Sequence, residues 1–201
     1  MNTQLLDLMK KRRTILTLGK NVAIPQAELY EYIKGIVRYT PSAFNSQPVR
    51  AVVLFNEQHD QLWDLTSAAL QDNLAPDAFL RTKAKMETFK NAFGSILFFT
   101  DMDVVKAYAD NPKLATYQYD EYNWSEQAQG NAQFAVWTGL EENGLGVNIQ
   151  HYNPLISAGV KAVFQVPSSW QLRAEMNFGS IEGAPKEKDF IEDEGRFKLF
   201  Q

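Results

Sequence analysis

The apolar run "SILFF", Ser95 to Phe99, is among the longest in this chain. A membrane-crossing helix needs about 20 such residues, so this run cannot be one. It also lacks any alternation of polar and apolar positions, and therefore reads as a buried strand, Ser95 to Thr100. The remaining elements have to be arranged around it. Val49 to Phe55 reads as a second strand. Gln171 to Phe178 alternates, with Leu172, Ala174, Met176 and Phe178 set against Gln171, Arg173, Glu175 and Asn177, as a half-buried strand does.

Helical spacing fills the intervals. Leu5, Leu6, Leu8 and Met9 repeat at that spacing, and Lys10 to Arg13 end the helix with charge that suits its dipole. A second helix follows Pro25 with Leu29, Ile33, Ile36 and Val37 as its inward stripe. Asn56 is read as the cap of a third, which carries Leu62, Trp63, Leu65 and Leu70. Another helix is expected over Asp77 to Ala92, and a further one over Leu155 to Phe164. Ser125 starts the longest clean helix, which stops at Asn143-Gly144. Its stripe of Ala128, Ala132, Ala135 and Gly139 allows another backbone to approach closely. "VNIQHYNP" reads as a strand or an extended loop, and Asp103 to Trp124 as a short helix that becomes a polar, tyrosine-rich connection.

Helices come first, and strands separated by helices follow, which predicts an α+β arrangement around one sheet. The chain's 201 residues, 45% of them hydrophobic, suit a single domain over 1–201 with a sizeable core. Beyond the last strand, the tail "DFIEDEGRFKLF" carries Phe190, Ile191, Phe197, Leu199 and Phe200. A tail that apolar needs a surface to cover, its own or a partner's.

Composition removes several chemistries. With no cysteine there is no disulfide, thiol nucleophile or thiolate metal site. His59 and His151 lie far apart and make no metal motif. A net charge of -4 gives no reason to expect nucleic acid, so any anion site must come from local basic residues. "MNTQLLDLMKKRRT" is not a signal peptide, and the expectation is a cytoplasmic protein with no membrane segment.

Four segments gather polar groups at element ends. "KRRT", Lys11 to Thr14, offers two arginines and a hydroxyl to a phosphate. "YTPSAFNSQPVR", Tyr39 to Arg50, offers the paired donors and acceptors that a flat heterocycle requires, between two prolines. "NIQHYNP", Asn148 to Pro154, brings Gln150, His151 and Tyr152. "GAPKEK", Gly183 to Lys188, presents Lys186 and Lys188 on one side of an extended chain. Taken singly, each also has a plain structural reading: a solvated helix end, a proline turn, a surface histidine, a surface turn. Together they describe two basic sites at opposite chain ends that can clamp one phosphate, with amide-rich loops framing a ring. No Walker loop or G-x-G-x-x-G fingerprint is present.

This ordered set, "KRRT", "PSAFNSQPVR", "LGVNIQHYNP" and "GAPKEK", resembles the nitroreductase family of FMN-dependent oxidoreductases, and most of all its fatty-acid-repression-mutant-like subgroup. The resemblance implies a central mixed or antiparallel sheet flanked by helices, in an intertwined homodimer with the tail at about 189–201 on the partner. It implies FMN phosphate at Arg12, Arg13 and Thr14, joined by Lys186 and Lys188. It places Pro41, Ser42, Ala43, Asn45 and Gln47 against the flavin of the other subunit, and Gln150 and His151 against the ring. The implied reaction is ping-pong: NADH or NADPH reduces FMN, and a nitroaromatic, quinone or other small aromatic acceptor reoxidises it. No catalytic side chain is required, because the cofactor carries the chemistry. Many relatives have a basic residue two places after the Ser/Thr; here that position is Leu16, and Arg50, Arg81, Lys83 or Lys85 are the candidates to replace it. Two other readings use the same fold: a flavin-binding redox sensor with little turnover, and a flavin-fragmenting or dehalogenating enzyme whose lid is the Asp103 to Trp124 connection.

Overall fold

The computed structural model describes residues 1–117 and 120–201. The central part of the connection read as a lid, Gln118 and Tyr119, lies outside the described residues. The elements run α1 (Gln4–Lys11), β1 (Leu18–Gly19), α2 (Gln26–Tyr39), β2 (Val49–Phe55), α3 (Asn56–Asn73), α4 (Pro76–Lys90), β3 (Gly94–Asp101), α5 (Met102–Ala109), α6 (Glu121–Glu142), β4 (Gly146–Gln150), α7 (Ser157–Phe164) and β5 (Trp170–Ile181). The α+β expectation holds.

Every strand pair of the sheet is antiparallel. The order is β1-β5-β3-β2, with β4 also paired to β5. The run "SILFF" is the middle of β3, and Ile96 to Phe99 are fully buried because helices cover both faces of the sheet. On one face Ile96, Phe98, Ala174, Met176 and Phe178 pack against Leu29 and Ile33 of α2 and Ala132, Val136 and Leu140 of α6. On the other, Leu97, Phe99 and Leu172 pack against Leu62 and Trp63 of α3, Met86 and Phe89 of α4 and Val160 of α7. The register between β3 and β5 shifts at Phe98/Phe99. Leu172 and Ala174, two residues apart, consequently face opposite cores.

That arrangement corrects the half-buried reading of β5. Glu175 and Asn177 were expected on a wet face, yet both are 0% exposed, because α3, α4 and α7 cover the side of the sheet to which they point. Asn56 does not cap α3 with its side chain. It takes φ 51° at the first helical residue and trades hydrogen bonds with Gln26. The long helix starts at Glu121, one turn before Ser125, and the seventh at Ser157 rather than Leu155. The small stripe of α6 packs closely: a Cβ on Gly139 would lie 2.6 Å from Ile36 of α2. In α1 no residue is buried, and Leu5 and Leu6 are 62% and 49% exposed. No helix among the described residues is long and apolar enough to cross a membrane.

Candidate functional site

The two ends of the chain meet. From Thr14 to Gly19 the backbone threads along β4 and β5, bridging Thr14 to Val147, bonding Ile15 N–H to Val147 O at 2.9 Å, and pairing Leu18 and Gly19 with Ile181 and Ser180. Glu182 N–H then bonds to Thr17 O at 3.1 Å, so the residues after β5 run back beside those after α1. The Arg13 guanidinium donates to the Lys186 carbonyl, which ties the two segments together. Between them lies a cavity of about 280 Å³ lined by Arg12, Arg13, Thr14, Leu16, Lys186, Glu187 and Lys188.

Arg12 is held from behind. Its guanidinium stacks on Trp137 of α6 with 4.4 Å to the ring centroid, and its Nε is buried without a partner among the described residues. Burial, then the charge of Arg13, lowers the Arg12 pKa, and Glu141 opposes them. Burial in turn raises Glu141 against the pull of Lys11 and Arg12. Four cationic side chains and an orphaned, buried N–H around one cavity suit an oxyanion with several acceptor atoms, as a phosphate monoester is. The donor set fits the phosphate end of FMN.

The loop after α2 is folded tightly. Phe44, Asn45 and Gln47 all have φ near 50°, a region that costs a side-chain-bearing residue about 1 kcal/mol or more. Ser42 Oγ accepts the Gln47 N–H at 2.9 Å, and Arg50 donates to Gln47 O at 2.7 Å while pairing with Asp101 at 2.9 Å. Asn45, Gln47 and Pro41 are exposed, while Ser42 and Ala43 are half-buried. None of these residues lines the cavity of Arg12 and Lys186. One copy of the chain does not unite the loop with the basic site.

The third segment leaves β4 as a strap. Gln150 is half-buried and donates to Asn148 Oδ1 at 3.0 Å, His151 is exposed, and the Tyr152 N–H bonds to Glu175 Oε2 at 2.8 Å. Beneath it runs a buried polar chain. Asn148 donates to Ile15 O and accepts from Asn177; Asn177 accepts from Ser95, whose Oγ also meets Trp63 Nε1 and His59 Nδ1. Burial depresses His59 to about 4, so the ring is neutral. Burial pushes Glu175 up to about 7, and burial followed by the Glu175 charge pushes Tyr152 to about 12.

Of the four cations considered as substitutes at Leu16, Arg50 is committed to Asp101 and the loop, whereas Lys85 of α4 lies 5.8 Å from the Tyr152 ring centroid. Trp137 and Glu175 are the contributors that reading the sequence missed. Trp137 lies on the face of α6 opposite no recognised motif, and Glu175 occupies a position whose alternation points to solvent.

Comparison with known proteins decides the family. The nitroreductase family model matches residues 9–180. The chain belongs to the nitroreductase family. Two relatives of this nitroreductase come from Saccharomyces cerevisiae: the putative nitroreductase HBN1, 34% identical over 94% of each chain, and the nitroreductase FRM2, 33% identical over 92% of each. The latter accords with the subgroup resemblance. Among solved structures, the nitroreductase CinD from Lactococcus lactis in complex with nicotinic acid superposes with a TM-score of 0.90 at 42% identity, covering 98% of this chain and 100% of the other. CinD has also been solved with chloramphenicol and with 4-nitrophenol. A more distant fold neighbour, a putative nitroreductase from Desulfovibrio desulfuricans, was solved in complex with FMN; it is 16% identical with a TM-score of 0.70 over the whole of both chains.

Proposed function

We propose that this nitroreductase is an FMN-dependent NAD(P)H oxidoreductase acting on nitroaromatics, quinones or similar flat acceptors. The observation that carries the reading is the cavity built from both chain ends, with Arg12 Nε buried and unpartnered at its wall. When bound, FMN supplies reversible hydride acceptance at N5, first from NADH or NADPH and then toward the acceptor, in a ping-pong sequence. Arg12, Arg13, Thr14, Lys186 and Lys188 hold its phosphate. Gln150 and His151 bound the ring, and Lys85 supplies the positive charge missing at Leu16. The small aromatics bound by CinD are of the size and shape expected of acceptors here.

The working unit is a homodimer. Loop 41–47 lines no part of its own basic cavity, and completes a flavin site in a second copy through Pro41, Ser42, Ala43, Asn45 and Gln47. Three features support that assembly: the exposed apolar side of α1, a groove of about 810 Å³ between α1, α2 and α6, and a tail whose Phe197, Leu199 and Phe200 all face solvent. The test is a visible spectrum of the purified protein after reconstitution with FMN, followed by anaerobic titration with each nicotinamide and then 4-nitrophenol. Bleaching by the nicotinamide and recovery on adding the acceptor are expected. Protein that stays colourless with FMN overturns the cofactor reading, and flavin that bleaches without reoxidation by any acceptor favours a sensor.

A further inference from the structure

Beneath the strap of Gln150 to Tyr152 lies a carboxyl group that neither the basic cavity nor loop 41–47 employs. Glu175 sits mid-strand in β5, paired in register with Leu97 of β3 on one side and Gln150 of β4 on the other. It is completely buried. One oxygen accepts the Tyr152 N–H at 2.8 Å, and the other has no hydrogen-bond partner among the described residues. None of the ion pairs formed by the described residues includes it. A carboxylate in that position is costly, and burial accordingly favours the protonated form.

The strap is thus anchored from underneath at two points. Gln150 is held by the amide of Asn148, which cannot titrate, and Tyr152 is held by a group that can. The titratable neighbours on the elements packed there are the Tyr152 phenol, Lys85 of α4 over the Tyr152 ring, and His59 of α3, which reaches the same side of the sheet through Ser95 and Asn177. The phenol is neutral to about 12 and the imidazole neutral above about 4, whereas Glu175 changes charge near neutrality.

We propose that Glu175 is a positioning residue for the flavin-facing strap, and that gain or loss of its proton resets how the strap meets the cofactor. The inference rests on the FMN reading of the site. An ionised carboxylate accepts the Tyr152 N–H more strongly and so tightens the strap. It also places a buried negative charge near a ring that becomes more negative on reduction, which disfavours the reduced cofactor. Flavin affinity and reduction are thereby tied to one interior proton.

Two measurements test this. In flavin-free, 15N-labelled wild-type protein, the Tyr152 amide resonance is expected to titrate with a midpoint near 7. In Glu175→Gln, whose side-chain oxygen still accepts the N–H, that titration is lost. In the holoprotein, the reduction potential of bound flavin relative to free flavin reports the ratio of reduced to oxidised affinities. Wild type and Glu175→Gln are expected to diverge by about fivefold in that ratio as pH rises through the midpoint, a coupling at the low end of the usual range. Riboflavin run in parallel removes the ionisation of the phosphate. A wild-type Tyr152 amide that does not titrate overturns the inference without reference to any variant or cofactor. An amide that titrates while both proteins keep identical potential profiles also overturns it, and leaves the FMN site standing. Failure to bind flavin at any pH overturns the FMN reading, and this inference with it.

Discussion

Replacing Glu175 with glutamine removes a group whose hold on a proton differs between the folded and unfolded chain. In the unfolded chain the carboxyl has its ordinary value of 4.5; in the fold, burial raises it to about 7. Between those limits the unfolded chain has released the proton and the folded chain retains it, so raising the pH favours unfolding. The contribution is fully present below 4.5 and is lost as pH climbs through 7, and at 1.36 kcal/mol per pH unit it amounts to about 3 kcal/mol. His59 acts in the opposite sense. Its value falls from 6.5 to about 4, so its stabilisation is present above 6.5 and is lost as pH drops toward 4, again about 3 kcal/mol. From 4.5 to 6.5 the two slopes cancel in the wild type. Glu175→Gln unmasks the histidine. Urea unfolding, at matched protein concentration because association adds its own concentration dependence, should show the variant gaining about 3 kcal/mol on the wild type between pH 4.5 and pH 8. A difference between the two proteins that stays flat across that interval, or runs the other way, would refute the buried, unpaired placement of Glu175.

The other predictions address separate parts of the molecule. Ser95→Ala strips partners from Asn177, Trp63 and His59 at once, and should cost about 3 kcal/mol in urea unfolding; a loss below about 1 kcal/mol would mean that the buried polar chain is not formed. Arg12→Ala should weaken FMN binding about 10- to 100-fold in fluorescence titration, with Arg12→Lys in between, because the stacked fork and its Nε–H are both lost. Lys186→Ala combined with Lys188→Ala should weaken FMN about tenfold and flatten the dependence of binding on salt. Deleting residues 190–201 uncovers whatever surface the tail protects, and sedimentation at micromolar concentration should show dimer giving way to monomer; unchanged sedimentation would place the tail on its own subunit.

Much of this protein was readable from residue order alone. The unalternated run at Ser95 to Phe99 required cover on both sides, and the structure supplies it with α2 and α6 on one face and α3, α4 and α7 on the other. The basic segments at Lys11 to Thr14 and Gly183 to Lys188 are local signals, and the structure sets Arg12, Arg13 and Thr14 of the first and Lys186 and Lys188 of the second around one cavity. What spacing did not reveal was the fate of Glu175 and Asn177. Alternation marks which residues share a side of a strand, but whether that side is wet depends on helices that arrive from elsewhere in the chain. The bulge at Phe98/Phe99 then changes which core each residue meets. Asn56 was misread for a related reason: its side chain finds Gln26, thirty positions away, before it finds the helix that follows it. In α1 the helical pattern is correct and the burial absent, since among the described residues of one copy none covers Leu5 and Leu6. Periodicity is a property of neighbours along the chain, whereas burial, and with it the protonation of an interior carboxyl, belongs to whatever the fold brings alongside.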